Sequence, residues 1–359
     1  MKRYHCECGQ EVFFDNRHCG SCGRSLGFNV NTLNLEVVIP VSEIAVRTTD
    51  GRIFNRCGNW IEHDACNWLV DQNRNIKYLC YACNFNRIIP NQTKTSDEIP
   101  ANFFRWLKLE DAKKRLVFTL RTLGLNINDG WSDAKSGLLF DFLEEFEAPE
   151  NAEVVPVMTG YFDGVITINS KEADDVALAT ARSQLNERQR TVLGHFRHES
   201  GHYFWDKIFS KYPLSEYFEE TFGSTELSYR QSLDKYYKNG PPRNWHDGYI
   251  SAYATSHPSE DWAETWSHYL LIYECLETAH GLGMIPHSPI FLDMFEALRI
   301  WRPMAVKLNQ LNRSIGLHDA YPFVITSRIE QKLQYVDALV RSMRKQSQSD
   351  LQHDRQYCK

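Results

Sequence analysis

Residues 193–208 read LGHFRHESGHYFWDKI, and inside them stands His198-Glu199-Ser200-Gly201-His202, two histidines four apart with a glutamate directly after the first. The flanks recur in apolar character at helical spacing, with Leu193, Phe196 and Phe204 suited to burying one side. On a helix, positions i and i+4 share a face, so both imidazoles can reach one ion. Glu199 points about 100° round from His198, beside that ion, where it can take a proton from a metal-bound water. Zinc in such a setting lowers the pKa of the water to about 7 and polarises a carbonyl.

A third ligand is needed, and one helix cannot supply it. The metzincin pattern wants a glycine and a histidine where this chain has Trp205 and Ile208. Asp206 lies one turn beyond His202, but three ligands strung along a straight helix spread over about 12 Å. The remaining source is a carboxylate on another helix. HPSEDWAETWSHY (257–269) opens a strong helical pattern that runs to about Gly281, with Glu260, Asp261 and Glu264 in its first turns. Glu260 is assigned as the ligand. Glu264, one turn on, is assigned to orient a ligand histidine through its other ring nitrogen; Glu264 as the ligand itself is the alternative. His195 and Asp206 read as structural or surface groups, and His257 and His268 as polar neighbours of the glutamates.

Eight of the ten cysteines lie before residue 84. Cys6-x-Cys8 and Cys19-x-x-Cys22, followed by Gly9 and Gly23, have the form of two knuckles that close one tetrahedral zinc site. Cys57, Cys66, Cys80 and Cys83 form a second set with one proper C-x-x-C pair and a long first spacing. His5, His18 or His63 could replace a thiolate, and the two sets could interleave. Cysteines clustered in this way point to metal rather than disulfides in a reducing compartment. About 90 residues with so little aliphatic content would need metal to hold a fold. Cys275 falls in an apolar helical pattern and reads as a core residue, Cys358 as part of a polar tail.

The rest of the 359 residues bound the answer. Hydrophobic residues are 42%, charged residues 24% and the net charge is −6, which reads as a soluble globular protein. Residues 1–100 balance 11 Lys/Arg against 11 Asp/Glu, so nucleic acid is a poor partner for the cysteine-rich end. No apolar run suggests a membrane span or a secretory leader, and the cytoplasm is the expected compartment. IIPNQTKTSDEIP (88–100) has linker composition. Before it, LNLEVVIPVSEIAVRTTDGRIF (33–54) predicts short strands around an Asp50-Gly51 turn. After it, 102–123 predicts a helix stopping at Gly124, GYFDGVITINS (160–170) a hairpin whose second strand, GVITIN, is a plausible edge for an extended peptide, and 174–210 a long helical region with a break near 186, ended by Pro213. Helices continue to about residue 345.

With those residues in hand, YATSHPSEDWAE (253–264) is similar to the metal-binding stretch of anthrax lethal factor, and the two helices resemble the gluzincin pattern. In lethal factor a tyrosine lies seven residues before the glutamate ligand, and Tyr253 stands seven before Glu260. By that likeness Tyr253 would donate a hydrogen bond to a developing oxyanion. HFRHESGHYFWD, NGPPRNW, SAYATSHPSEDWAETWSHYL and the CNWL and CYAC pieces resemble the bacterial family of zinc-binding metallopeptidases with an N-terminal zinc ribbon. The likeness covers nearly all of the chain to about residue 345 and implies fold and reaction class without a substrate.

The expected architecture is α+β: a small β-rich zinc-ribbon module over 1–95, a mainly helical zincin-like metallopeptidase domain over 100–345, and a disordered polar tail over 346–359. The expected function is zinc-dependent hydrolysis of peptide bonds, with Glu199 activating a zinc-bound water. The alternative is a non-catalytic ribbon and zincin scaffold that binds a protein partner. The expected cofactors are one catalytic zinc and two structural zinc ions. The expected partners are a peptide or protein substrate, and a protein docked on the ribbon.

Overall fold

The computed structural model describes residues 2–72, 78–92, 99–147, 154–178, 180, 191–209, 216–225 and 227–357. The proposed helix break near residue 186, Pro213 and Cys358 lie outside the described residues, as do 93–98 of the linker. By packing, the chain divides into two compact units, Met1–Thr122 with Ile127–Ala181, and Leu123–Asn126 with Arg182–Lys359. The architecture is mixed α+β, a small β-rich ribbon region followed by a mainly helical one.

In the first unit the β-branched stretch folds into strands Asn34–Pro40, Ala45–Thr48 and Ile53–Arg56. Gly51 makes the Asp50-Gly51 turn at φ +90°, a conformation that a Cβ disfavours, and its N–H reaches the Thr48 carbonyl at 2.9 Å. With Ser25–Asn29 and Leu69–Asp71 these strands form a five-stranded antiparallel sheet in sequence order. Leu26 and Phe28 are buried on one face of the sheet, and Val46 and Phe54 on the other.

Helix Ile99–Thr122, read as part of the region after the linker, packs into this core. The Phe118 ring lies 5.3 Å from Phe14 and 6.0 Å from Phe28, and Trp68 stands 4.6 Å from Phe28. The cysteine module therefore does not rely on metal alone for a core; it borrows aromatic surface from a helix far along the chain. The same helix meets a four-stranded mixed sheet ordered Gly160–Phe162, Val165–Asn169, Leu139–Leu143, Asn86–Ile88, with Lys113 over the Phe142 ring at 5.6 Å.

The 160–170 hairpin forms, but its second strand is not an edge. Val165–Asn169 pairs antiparallel with Gly160–Phe162 on one side and parallel with Leu139–Leu143 on the other. Local alternation of residues cannot reveal that long-range parallel pairing, which needs a crossover connection. Among the described residues the edges of this sheet are Gly160–Phe162 and Asn86–Ile88.

The second unit is built on two helices, Val192–Phe209 and Pro258–Gly281, with Glu216–Phe222, Tyr229–Asn239, Met294–Ser314 and Ser327–Tyr357 around them. Phe204 stacks on Trp266 at 4.6 Å, and Phe218, Phe222, Trp262 and Tyr335 extend the aromatic core. The polar stretch after residue 345, read as disordered, continues the last helix to Tyr357. It contains no glycine or proline and several good helix formers, so nothing local stops the helix. Among the described residues no helix is long and apolar enough to cross a membrane.

Candidate metal centre

Two features of the sequence motif that carry no chemistry position the rest. A Cβ on Gly201 would stand 2.8 Å from the Ala263 Cα, so glycine is what lets helices Val192–Phe209 and Pro258–Gly281 approach this closely. Ser200 and the Gly201 carbonyl are then read by tryptophans of the facing helix. Trp266 Nε1 donates to Ser200 Oγ at 3.0 Å and Trp262 Nε1 donates to the Gly201 oxygen at 2.9 Å. Arg197 and Glu274 form a buried ion pair at 2.7 Å between the same helices. These contacts fix the rotation of one helix against the other, and with it where the ligand side chains meet.

The second helix starts where its own sequence dictates. His257 is the N-cap, its Nδ1 accepting from the Ser259 N–H at 3.1 Å. Pro258 occupies the first helical position, where no N–H is needed, and Glu260 and Asp261 sit in the first turn, where a carboxylate is favoured. His257 is thus a capping group, in keeping with the polar role read from sequence.

His198, His202 and Glu260 come together. His198 Nε2 lies 3.1 Å from Glu260 Oε2, His202 Nε2 lies 3.3 Å from Glu260 Oε1, and the two Nε2 atoms are 3.2 Å apart. Ligand atoms on a tetrahedral ion with bonds of about 2.0–2.1 Å stand about 3.3 Å from one another. Glu260 faces the two imidazoles through different oxygens, and one donor atom from each of the three residues lies within 4.8 Å of the others, close enough for two imidazoles and one carboxylate to share a zinc-sized ion. Glu264 accepts from the other nitrogen of His198, Nδ1, at 2.6 Å, the carboxylate–histidine arrangement that fixes a ligand ring. Glu199 is buried on the histidine helix.

The charges agree with a cation site. Burial alone would lower the His198 pKa, yet hydrogen bonds to Glu260 and Glu264 raise it well above the ordinary imidazole value. Burial would raise Glu260, yet the charge of His202 and the hydrogen bond to His198 hold it well below the carboxylate range. Glu264, also pushed up by burial, is held at about 2 by His198. Two ionised carboxylates on one buried imidazole call for a positive charge, from a proton or a metal. Behind them His268 is pushed down to about 4 by burial, with Arg197 adding to it, and hydrogen-bonds the Tyr321 hydroxyl through Nδ1 at 3.0 Å. That neutral, buried pairing suits a structural histidine.

Tyr253 stands beside the cluster, its ring centroid 6.2 Å from that of His198. Sequence reading missed Tyr229, whose hydroxyl donates to Glu260 Oε1 at 2.7 Å. It lies 31 residues before the glutamate, and no local pattern marks it; only the tertiary fold brings it there. Burial, backed by the Glu260 charge, raises both phenols above the ordinary tyrosine range, so both remain protonated donors. Sequence also missed Lys332, which pairs with buried Asp261 at 2.5 Å and donates to the Gly248 carbonyl at 2.6 Å.

Eight cysteines divide into two quartets without interleaving, Cys6, Cys8, Cys19, Cys22 and Cys57, Cys66, Cys80, Cys83, and among the described residues no histidine enters either. Cys6 and Cys22, and Cys8 and Cys19, have sulfurs 3.6 Å apart; Cys66 lies 3.7 Å from both Cys80 and Cys83. A disulfide needs about 2.05 Å, whereas sulfurs on a tetrahedral zinc with bonds of about 2.3 Å stand about 3.8 Å apart. Gly9 and Gly23 take φ +87° and +72° and return their N–H groups to the Cys6 and Cys19 carbonyls at 2.8 and 2.9 Å, which makes the knuckles. Backbone N–H groups of Cys22 and Ser21 hold the Cys19 thiol at about 6, in the thiolate form a metal needs. The second quartet is buried throughout. Helix Ile99–Thr122 supplies its counter-charge: burial would lower Lys114, but Cys66, Cys83 and Glu110 raise it, and its ammonium donates to the Ala65 carbonyl at 2.9 Å.

Residues 102–339, about two thirds of the chain, match the family model described as "Putative zinc-binding metallo-peptidase", and residues 3–94 match a zinc-ribbon domain model. Uncharacterized proteins of Mycobacterium bovis and of two Mycobacterium tuberculosis strains are each 36% identical over 351 residues, covering 95% of this chain and 95% of theirs. No solved structure matches. Two cysteine quartets, a third cluster of imidazole and carboxylate donors, and a match over most of the sequence agree that this chain belongs to the zinc-binding metallopeptidase family, with a zinc-ribbon domain at its N-terminus.

Proposed function

We propose that this chain is a zinc-dependent peptide-bond hydrolase of the gluzincin type. The observation that carries the reading is the convergence of His198, His202 and Glu260, whose two Nε2 atoms are 3.2 Å apart and lie 3.1 and 3.3 Å from the Glu260 carboxylate oxygens. Three protein ligands leave a tetrahedral ion one open position, as a catalytic site requires, whereas a structural site is closed by four. Zinc bound there supplies a Lewis acid for the scissile carbonyl and a nucleophilic water at neutral pH.

The side chains divide the remaining work. His198, His202 and Glu260 would hold the ion, and Glu264 fixes the ring of His198. Glu199 takes the proton of the attacking water and gives it to the leaving nitrogen. Tyr253, kept protonated, donates to the oxyanion that develops on the former carbonyl. The two cysteine quartets hold one structural zinc each. Residues 100–345 carry the catalysis and residues 1–95 the ribbon, which serves a protein partner rather than nucleic acid, given its even charge. The reduced, metal-spaced thiols suit the cytoplasm as its compartment.

The test is cleavage of a peptide library by the full chain, with and without the chelator phenanthroline, alongside elemental analysis. We expect three zinc ions per chain and cleavage that the chelator abolishes. Two zinc ions with no cleavage of any peptide would leave a ribbon protein without a catalytic centre.

A further inference from the structure

Glu260 is the least conventional member of the cluster, because a carboxylate can bind an ion through one oxygen or two. One oxygen leaves the coordination position that a water needs; two oxygens fill it. The Glu260 side chain is 1% exposed, so solvent cannot occupy the oxygen that the ion does not take. A buried charged acceptor without a donor is costly. When His198 and His202 give their Nε2 lone pairs to an ion, those nitrogens cannot donate to the carboxylate either. Among the described residues the donor that remains is the Tyr229 hydroxyl, 2.7 Å from Oε1.

Resting on the metal-centre reading above, we propose that Tyr229 is a positioning residue that sets the way Glu260 binds: it holds Oε1 and leaves Oε2 alone for the metal. Its placement is built in by the surrounding sequence. Tyr229 is the first residue of helix Tyr229–Asn239, whose start is locked by a reciprocal cap between Ser228 and Gln231 at 3.3 and 3.4 Å. Its ring meets His257 edge-on at 5.3 Å, and His257 is the cap of the helix that carries Glu260. One imidazole thus fixes both the start of the glutamate's helix and the ring that reaches back to the glutamate. Tyr229 itself is 46% exposed, so it adds little to the core, and removing the hydroxyl leaves the packing in place.

The experiment compares wild type with Tyr229→Phe as full chains. Zinc affinity of the imidazole–carboxylate site is measured by chelator competition, with Glu260→Ala as the reference that retains only the thiolate sites. Groups that support a metal ligand typically contribute about 10–100-fold in affinity, and a loss in that range is expected. With cobalt in place of zinc, the visible spectrum left after subtracting that of Glu260→Ala should change from the intense bands of a four-coordinate ion toward the weak bands of higher coordination. With zinc in the thiolate sites alone, the variant should melt with wild type; a lowered melting temperature at unchanged affinity would mean that Tyr229 only packs, and would overturn the proposal. Wild-type affinity and an unchanged cobalt spectrum in Tyr229→Phe would overturn it while leaving the metal centre standing. A wild-type chain that binds no metal beyond its thiolate sites would overturn both.

Discussion

The buried cysteine quartet and the histidine–glutamate cluster are both spaced for a zinc-sized ion, yet they are built in opposite ways. The quartet has four cysteine sulfurs, all buried, with a lysine from a neighbouring helix as counter-charge. The cluster has two imidazoles and one carboxylate, and two of these three are tied to a further group: His198 to Glu264, Glu260 to Tyr229. A closed site has its geometry enforced by the ion and needs only enough ligands. An open site must hold its geometry against the missing fourth ligand, so it needs a supporting layer of hydrogen bonds. The protein invests in that layer at the cluster and in burial at the quartet.

The comparison breaks first if the quartet proves dispensable. Structural zinc contributes about 10–16 kcal/mol in small zinc-dependent folds, so Cys80→Ser should lose one zinc and the cooperative melting of the ribbon region, read by elemental analysis and near-UV circular dichroism. Retention of both would make that quartet an ordinary thiol core. At the cluster, Glu199→Gln should keep all its zinc and lose about 10²–10⁴-fold in peptide hydrolysis; full activity would remove Glu199 as the base. Glu264→Ala should weaken zinc at the cluster alone by about 10–100-fold, measured by chelator competition. Should Glu264→Ala strip that zinc outright while Glu260→Ala retains it, the two glutamates exchange roles. Smallest is Gly201→Ala, where a Cβ 2.8 Å from the Ala263 backbone overpacks the helix contact and should cost about 1–3 kcal/mol in urea denaturation. A neutral result would show that the two helices can separate without penalty.

How legible each site was follows from how local it is. In the first quartet Cys6 and Cys22 are 16 positions apart, and its knuckles could be read directly, glycines included. His198 and His202 share one helical face, so their meeting was fixed by the helical period. Glu260 lies 62 residues from His198, and it was reached by eliminating ligands that helix geometry forbids. The strand Val165–Asn169 was recognised as a strand but misplaced as an edge, because its partner Leu139–Leu143 is distant and parallel.

By itself the sequence determined residue chemistry and short-range periodicity: which side chains can bind zinc, which stretches are helix, and that a helical pair plus a remote carboxylate was needed. Tertiary structure alone decided that helix Ile99–Thr122 completes the ribbon's core, that Ser200 and Gly201 are contact surfaces, and that Tyr229 and Lys332 stand behind Glu260 and Asp261. The physical reason is that backbone preferences and side-chain period act over a few residues, whereas packing and buried hydrogen bonds join residues whose separation along the chain leaves no local trace.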